Sequence, residues 1–223
     1  MFNKIRKKIS LRTVLDRKGF RFLLAFFTKR KARLSHNKNI DLSYEEGFWV
    51  HKYLGYYWVF NKPKHNLKDI EALFRLDYLF KYTMQRDHTI LDVGAGMGEE
   101  AIFFSKGVGT KGKIFSVEAH PRTFSRLEKT LKYNKIDNVK AINCAISNKK
   151  GKVLIEDTGN SLGRTIGTNE GLVVKSFTID QICEMYDIKT INFLKMNIEG
   201  AEKLAIEGMV KSIDNIENIC ISC

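Results

Sequence analysis

The chain has 223 residues, which suffices for one α/β domain with an appendage, whereas two full domains would be cramped, and 43% hydrophobic residues supply a core. The formal charge of +13 is concentrated at the start, because residues 1–40 carry thirteen Lys and Arg against Asp16 alone. This distribution excludes a uniformly basic protein and assigns the basicity to the N-terminal segment.

The N-terminal segment, residues 1–44, alternates basic clusters with apolar residues at the spacing of an amphipathic helix. Such a helix can lie on an anionic membrane or bind polyanions, or it can be a docking helix whose charges are simply solvated. Its longest apolar stretch, Phe20 to Phe27, contains Arg21 and is far shorter than the roughly twenty residues that span a bilayer. We therefore expect no membrane span and, at most, peripheral membrane contact through residues 1–40.

Residues 45–88 are rich in aromatic side chains and precede the most informative part of the sequence. We expect this segment to be a helical cover of the following domain, with a break at Pro63 and a helical run from Leu67 to Tyr82. Aromatic side chains can also stack on bases or sugars, so a binding surface is the alternative to packing. The aromatic residues are Phe48, Trp49, Tyr53, Tyr56, Tyr57, Trp58 and Phe60.

A glycine-rich turn follows the first apolar run of the third segment, residues 89–223. Residues 89–93 suit a buried parallel strand, and Gly94, Gly96 and Gly98 let the backbone turn tightly and approach a ligand. Glu118 ends the next apolar run, twenty positions after Gly98. This combination predicts a pocket for an adenosine-bearing cofactor at the start of the following helix.

The spacing of the glycines distinguishes between cofactors. A dinucleotide site normally has G-x-G-x-x-G, whereas this sequence has G-x-G-x-G followed by Glu99 and Glu100, which would repel a pyrophosphate. A cationic sulfonium tolerates these carboxylates, and Glu118 can accept hydrogen bonds from both ribose hydroxyls. The sequence therefore predicts S-adenosylmethionine, and the alternative is a tight strand-to-helix turn without a ligand.

Strands and helices alternate from residue 89 onward, which predicts a doubly wound, mostly parallel sheet with right-handed crossovers. Two further strands flank a polar loop, Asp157 to Glu170, which is either a substrate lid or a plain surface loop. The expected strands are Thr89–Val93, Lys113–Glu118, Val139–Ala145, Lys150–Glu156, Leu172–Phe177, Thr190–Met196 and Ile216–Ser222, and the expected helices are Glu99–Lys106, Arg122–Tyr133, Ile179–Met185 and Ala201–Val210.

The four cysteines, at positions 144, 183, 220 and 223, show no disulfide framework, so we expect a reducing, cytoplasmic setting. Cys220 and Cys223 form a C-x-x-C, but there is no second pair to complete a zinc site. We interpret both as strand residues and assign no metal ligand.

Three blocks of this sequence resemble the FkbM family of S-adenosylmethionine-dependent methyltransferases, and the likeness extends from about Thr89 to the end. The blocks are Asp92-Val-Gly-Ala-Gly-Met-Gly98, Val117-Glu-Ala-His-Pro121 and Leu194-Lys-Met-Asn-Ile-Glu-Gly-Ala-Glu202. The resemblance implies a Rossmann-like class I methyltransferase fold, S-adenosylmethionine as cofactor, and O-methylation of a hydroxyl on a sugar, glycan or other small metabolite.

The resemblance also implies roles for individual residues. Those expected at the reaction site are Asn197, Glu199 and Glu202, and those expected around the cofactor are Asp92, Gly94, Ala95, Gly96, Gly98, Glu118, Ala119, Cys144 and Ala145. The family pattern has Asp where this chain has Asn197, which can orient a hydroxyl but cannot accept its proton, so Glu199 becomes the candidate base. Alternatively, Glu199 and Glu202 are only the charged start of a helix.

A second departure from the family pattern is the end of the sequence. Class I sheets usually continue beyond the fifth strand, whereas this chain stops at Cys223, within or just after that strand. We therefore expect an apolar sheet edge that an oligomer or a partner covers, or a truncated chain.

Two other functions compete with methylation of a small molecule. The basic arm suggests a nucleic-acid methyltransferase, but the Asn/Asp-Pro-Pro-aromatic loop that is common in base amino-group methylation is absent. Asn197 and the missing final strands suggest a scaffold that binds the cofactor without turnover.

Overall fold

The computed structural model describes residues 16–17, 19–36, 39–67, 82–157 and 171–222. The chain divides into two compact units, Met1–Lys68 and Asp69–Cys223, a division that falls inside the expected helical cover, residues 45–88. In the described ranges, no helix combines the length and the apolar character that a bilayer crossing requires.

The first unit contains helix α1 (Arg21–His36) and the strands β1 (Asp41–Glu45), β2 (Phe48–Tyr53) and β3 (Tyr56–Phe60). The strands pair antiparallel in the order β1-β2-β3. A two-residue turn joins β2 to β3, and its residues Leu54 and Gly55 have positive φ angles of 53° and 83°, as this kind of hairpin requires.

The expected helical cover is therefore wrong for residues 45–60, which form strands. Aromatic and β-branched side chains favour a pleated sheet over a helix, and the Leu54-Gly55 turn fixes the pairing of the two strands. The expected helical run from Leu67 to Tyr82 falls mainly on residues 68–81, which lie outside the described part of the chain.

Several of the aromatic residues form the core of the first unit. Trp49, Trp58 and Phe60 are almost completely buried. The indole of Trp49 donates a hydrogen bond to Asp16 at 3.2 Å, and the indole of Trp58 donates to the Tyr53 carbonyl at 3.2 Å. These side chains are occupied in packing, so they provide no stacking platform at the surface.

The second unit is built on a parallel sheet of β4 (Thr89–Val93), β5 (Lys113–Val117), β6 (Val139–Ile142), β10 (Phe193–Met196) and β11 (Ile219–Ile221). The strand order is β11-β10-β4-β5-β6, so the chain starts in the middle, runs to one edge and returns to the other side. This arrangement confirms the predicted doubly wound sheet. It also creates a switch point between β4 and β10, where ligands bind such folds at the carboxyl ends of the strands.

In the described part of this unit, four α-helices accompany these strands: α2 (Glu99–Val108), α3 (Pro121–Tyr133), α4 (Ile179–Met185) and α5 (Glu202–Glu207). A smaller sheet contains β7 (Ala145–Ile146), β8 (Gly151–Ile155) and β9 (Leu172–Phe177) in the order β7-β9-β8. The expected lid falls largely on residues 158–170, which lie outside the described residues, as does Cys223.

Most of the predicted elements have bounds that differ from the observed ones by one to three residues, and two of these differences change the fold locally. The expected strand Val139–Ala145 is broken, because β6 ends at Ile142, Asn143 and Cys144 lie in no strand, and Ala145 begins β7 of the smaller sheet. At the break, the side chain of Asn143 donates hydrogen bonds to the carbonyls of Glu118 and Ala119 at 2.8 and 3.1 Å. The expected helix over residues 201–210 is shorter, since α5 ends at Glu207 before Gly208.

Candidate functional site

The loop after β4 and the loop after β10 meet through their backbones. The amides of Gly94 and Ala95 donate to the Val117 carbonyl at 2.9 and 3.0 Å, and the amide of Asn197 donates to the Val93 carbonyl at 3.0 Å. Gly94 has a φ of 80°, and a Cβ at this position would lie 1.9 Å from the carbonyl oxygen of Asn197. Only glycine fits here, because any side chain would push the two loops apart.

The helix that follows this loop, α2, begins against α3. Gly98 caps α2 in the left-handed conformation with a φ of 91°, and a Cβ there would lie 2.7 Å from Cδ1 of Leu127. Ala95 is fully buried beside Leu127 and Leu131. Ala95 therefore presents its backbone rather than its side chain to any ligand in the loop.

Glu118 lies directly after β5 and faces the glycine loop. Its carboxylate accepts hydrogen bonds from the amide of Gly96 at 3.1 Å and from the amide of His120 at 2.8 Å. His120 is buried and caps α3, because its Nδ1 accepts a hydrogen bond from the amide of Arg122 at 3.2 Å. A carboxylate is thus held across from the glycine loop at the carboxyl end of the sheet.

Cys144 and Ala145 lie beyond the end of β6, and both side chains are buried. Cys144 packs with the core beneath the sheet, whereas Ala145 packs with Ala119 and Ile155. Burial raises the pKa of the Cys144 thiol to about 12, so this thiol stays protonated near neutral pH.

Lys195 belongs to the site although neither its spacing nor the family resemblance implies a role for it. Its side chain is 1% exposed, and its Nζ lies 3.0 Å from Oδ1 of Asp92, whose side chain is fully buried. The same Nζ donates a hydrogen bond to the Gly94 carbonyl at 2.9 Å. The sequence feature that indicates a buried ion pair here is a lysine inside the otherwise apolar run Phe193–Met196. A lysine is almost never buried in a core strand unless it has a charged partner.

Glu100 is the third charged residue near this pair. Its Oε1 lies 3.9 Å from Nζ of Lys195. Burial raises the pKa of the Glu100 carboxyl, and the charge of Asp92 acts in the same direction, while Lys195 opposes the rise. The start of α2 therefore holds a carboxyl group that retains its proton more tightly than an exposed glutamate.

The loop from Asn197 to Gly200 is shaped by Glu202. The two carboxylate oxygens of Glu202 accept hydrogen bonds from the amides of Ile198 at 2.9 Å and Gly200 at 2.8 Å. Glu199 is exposed and has a positive φ of 54°, whereas Asn197 is half-buried beside Gly94. Among the residues that the structure describes, no group of three or more His, Cys, Asp or Glu side chains could hold a metal ion.

These observations fit an adenosyl cofactor. Glu118 lies across from a loop whose backbone is tightly packed, and α2 begins with two acidic residues and no side-chain cap, which disfavours a pyrophosphate but not a sulfonium. The strand order, the glycine loop and the carboxylate after the second core strand define the Rossmann-like fold of a class I methyltransferase.

The methyltransferase FkbM domain matches residues 92–222, which is more than half of the chain. The chain therefore belongs to the FkbM methyltransferase family. S-adenosylmethionine is the methyl donor of this family.

One curated relative is the hexuronic acid methyltransferase AglP of Haloferax volcanii. It is 23% identical over 139 residues, which cover 61% of this chain and 56% of that protein. The chain thus spans little more than half the length of this relative.

Two solved structures resemble the chain at low sequence identity. The methyltransferase FkbM of Methylobacillus flagellatus is 18% identical, with a TM-score of 0.48, and the match covers 69% of this chain and 36% of that one. Aeropyrum pernix fibrillarin, which was solved with bound S-adenosyl-L-methionine, is 14% identical, with a TM-score of 0.38 and coverage of 74% and 69%.

Proposed function

We propose that this chain is an S-adenosylmethionine-dependent O-methyltransferase that acts on a hydroxyl of a sugar or glycan. The main support is the position of Glu118, whose carboxylate faces the glycine loop at the switch point of the sheet, close to the contact between Gly94 and Asn197. The name of the relative AglP, a hexuronic acid methyltransferase, supports a carbohydrate acceptor.

On the cofactor side, we assign Glu118 to the ribose hydroxyls, because a carboxylate can accept several hydrogen bonds at once. The backbone from Gly94 to Gly98 approaches the ligand, since the side chain of Ala95 is buried. Lys195 and Asp92 are positioning residues in this proposal: the Lys195 ammonium holds the Gly94 carbonyl, and Asp92 holds the ammonium. Cys144 and Ala145 support the wall beside the adenine through packing.

On the acceptor side, methyl transfer to oxygen requires an acceptor hydroxyl that is held in position and loses its proton. When bound, S-adenosylmethionine supplies a methyl group that its sulfonium makes electrophilic. The amide of Asn197 orients the acceptor hydroxyl, and the exposed carboxylate of Glu199 takes the proton that the hydroxyl loses. Glu202 keeps the loop in shape through its two backbone hydrogen bonds.

The test is an assay of methyl transfer from labelled S-adenosylmethionine to a panel of methyl glycosides, hexuronic acids and short glycans. We expect transfer to at least one carbohydrate by the full chain, and its loss in Glu118→Gln. Glu128→Gln is the matched control, because Glu128 is an exposed glutamate on α3.

Two results would overturn this proposal. Cofactor binding without transfer to any acceptor would favour the scaffold function that Asn197 suggests. Transfer to RNA or DNA but to no carbohydrate would favour a nucleic-acid methyltransferase.

A further inference from the structure

Helix α1 exposes large apolar side chains on a single face. Phe22, Phe26 and Leu34 are 68%, 57% and 75% exposed, and Phe27 is also exposed. All exposed phenylalanines in the described part of the chain lie in α1 or directly before it, at Phe20. A cluster of this kind on one helix commonly marks an interaction surface.

The opposite face of α1 is anchored within the first unit. Leu24, Thr28 and Ala32 are buried, and they recur at the i, i+4, i+8 spacing of one helix face. The guanidinium of Arg21 lies 3.6 Å from the ring centroid of Tyr44 and also pairs with Asp16. These contacts fix the rotation of the helix, so the apolar side chains cannot turn into the core of this unit.

Basic residues share the outward direction with the apolar ones. Successive residues of a helix are about 100° apart around its axis, so residues can be assigned to one side of the helix from their positions. We call the side opposite the buried residues the outer face. The outer face consists of the exposed residues on this side, which are Phe22, Phe26, Phe27, Arg30, Arg33 and Leu34. The helix contains no acidic residue, and residues 1–40 carry a net charge of +12 (thirteen basic residues minus Asp16).

We propose that the outer face docks on an anionic phospholipid membrane, with its phenylalanines at the boundary between headgroups and acyl chains and its arginines at the lipid phosphates. Apolar burial and charge attraction add together at such a surface. This inference is independent of the proposed O-methyl transfer.

Other occupants fit the outer face less well. A duplex nucleic acid offers phosphates for Arg30 and Arg33 but no apolar layer for Phe22 and Leu34. A second copy of the chain would place the same arginines against each other, because a twofold interface brings identical surfaces together. A lipid surface of opposite charge satisfies both the apolar and the basic residues.

The experiment measures flotation of the full chain with phosphatidylcholine vesicles, with and without phosphatidylglycerol, at low and high salt. We expect partitioning onto the phosphatidylglycerol vesicles. Phe22→Ser with Phe26→Ser should weaken it by about tenfold or more for each phenylalanine. Arg30→Gln with Arg33→Gln should weaken it by about fivefold for each arginine, and this effect should shrink as salt is raised.

A matched pair of single variants tests whether an exposed apolar residue must lie on the outer face to contribute to vesicle binding. Leu34 and Val210 are equally exposed, at 75%, but Val210 lies in the second unit. Leu34→Ser should weaken partitioning, whereas Val210→Ser should not. Circular dichroism and the melting temperature check that every variant is folded, which we expect because the exchanged side chains are exposed.

Three results would overturn the proposal. The first is that the wild-type chain shows no preference for phosphatidylglycerol vesicles, or that the outer-face variants partition like wild type. The second is a wild-type dimer that dissociates in Phe22→Ser with Phe26→Ser while vesicle binding is absent. The third is binding to a DNA duplex that exceeds vesicle binding and is insensitive to the phenylalanine variants.

Discussion

The two units depart from the usual distribution of side chains in opposite ways. The second unit buries the charged side chains of Lys195 and Asp92 under its glycine loop, whereas the first unit exposes the aromatic side chains of Phe22 and Phe26. The two buried charges are opposite and neutralise each other within the second unit. The exposed rings, in contrast, are not covered by the core against which α1 packs. The buried pair in the second unit therefore holds a loop in place, whereas in our proposal the exposed rings of the first unit bind another surface.

The largest expected effect tests whether the buried charges compensate each other. Lys195→Met leaves the Asp92 carboxylate buried without its cation, so we expect a loss of about 3–5 kcal/mol in the free energy of unfolding. Binding of S-adenosylhomocysteine should weaken as well, because the Gly94 carbonyl loses its donor. Chemical denaturation and calorimetry measure the two effects.

The double variant Lys195→Met with Asp92→Asn provides the control for this prediction. It removes both charges, so it should recover part of the lost stability without restoring cofactor affinity. If Lys195→Met is as stable as wild type, the ion pair does not hold the loop. The proposed role of the buried charges in the second unit would then be wrong.

The next effect compares a glycine from each unit. Gly94 and Gly55 have φ angles of 80° and 83°, but a Cβ at Gly94 would collide with the Asn197 carbonyl. In the described part of the chain, no heavy atom beyond the two neighbouring residues lies within 4 Å of a Cβ at Gly55. Gly94→Ala should cost about 3 kcal/mol or more through strain plus collision, and Gly55→Ala about 1–2 kcal/mol through strain alone. Thermal unfolding measures both.

The same two glycine variants should also differ in their affinity for the cofactor. Gly94→Ala should abolish detectable binding of S-adenosylhomocysteine, since the loops after β4 and β10 can no longer touch. Gly55→Ala should bind like wild type. Equal affinities in the two variants would show that the close approach at Gly94 is not required for the pocket.

A smaller effect is expected at the acceptor side of the second unit. Asn197→Asp places a proton acceptor beside the glycine loop, so the rate of transfer to a hydroxyl acceptor should rise by up to about tenfold above the pKa of the new carboxyl. The measurement is a pH profile of kcat in wild type and variant. An unchanged rate together with an unchanged profile would mean that proton removal at this position does not limit the reaction.

The smallest effect concerns the pH dependence of stability. The folded state raises the pKa of Glu100 through burial, so the folded chain binds this proton more tightly than the unfolded chain. The contribution of Glu100 to the free energy of unfolding is fully present below the ordinary pKa of glutamate. It is lost as the pH rises through the raised pKa of the folded state. Wild type should therefore lose stability across this window relative to Glu100→Gln, as denaturation at several pH values would measure. Parallel curves for the two proteins would contradict this prediction.

The sequence predicted the second unit well because its signals are local. Buried parallel strands appear as short apolar runs, and the glycines at 94, 96 and 98 mark the turn between β4 and α2. The position of Glu118 across from Gly96 follows from the alternation of strands and helices, since the carboxyl ends of neighbouring parallel strands meet at one edge.

The features that the sequence did not predict depend on distant contacts. The pairing of Lys195 with Asp92 joins two strands that are 103 positions apart in sequence (195 − 92). The aromatic residues of β2 and β3 do not alternate strictly with polar ones, so the local pattern does not distinguish these two strands from a helix. The break at Asn143 depends on its hydrogen bonds to the turn after β5, which no local pattern around residue 143 indicates.

The most direct test of the central claim is a calorimetric titration of the folded full chain with S-adenosylhomocysteine, carried out in parallel on Glu118→Gln and Glu128→Gln. We expect one site in wild type, about ten- to hundredfold weaker binding in Glu118→Gln, and wild-type affinity in Glu128→Gln. No heat of binding with folded wild-type protein, or the same affinity in all three proteins, would contradict the assignment of the pocket between the glycine loop and Glu118.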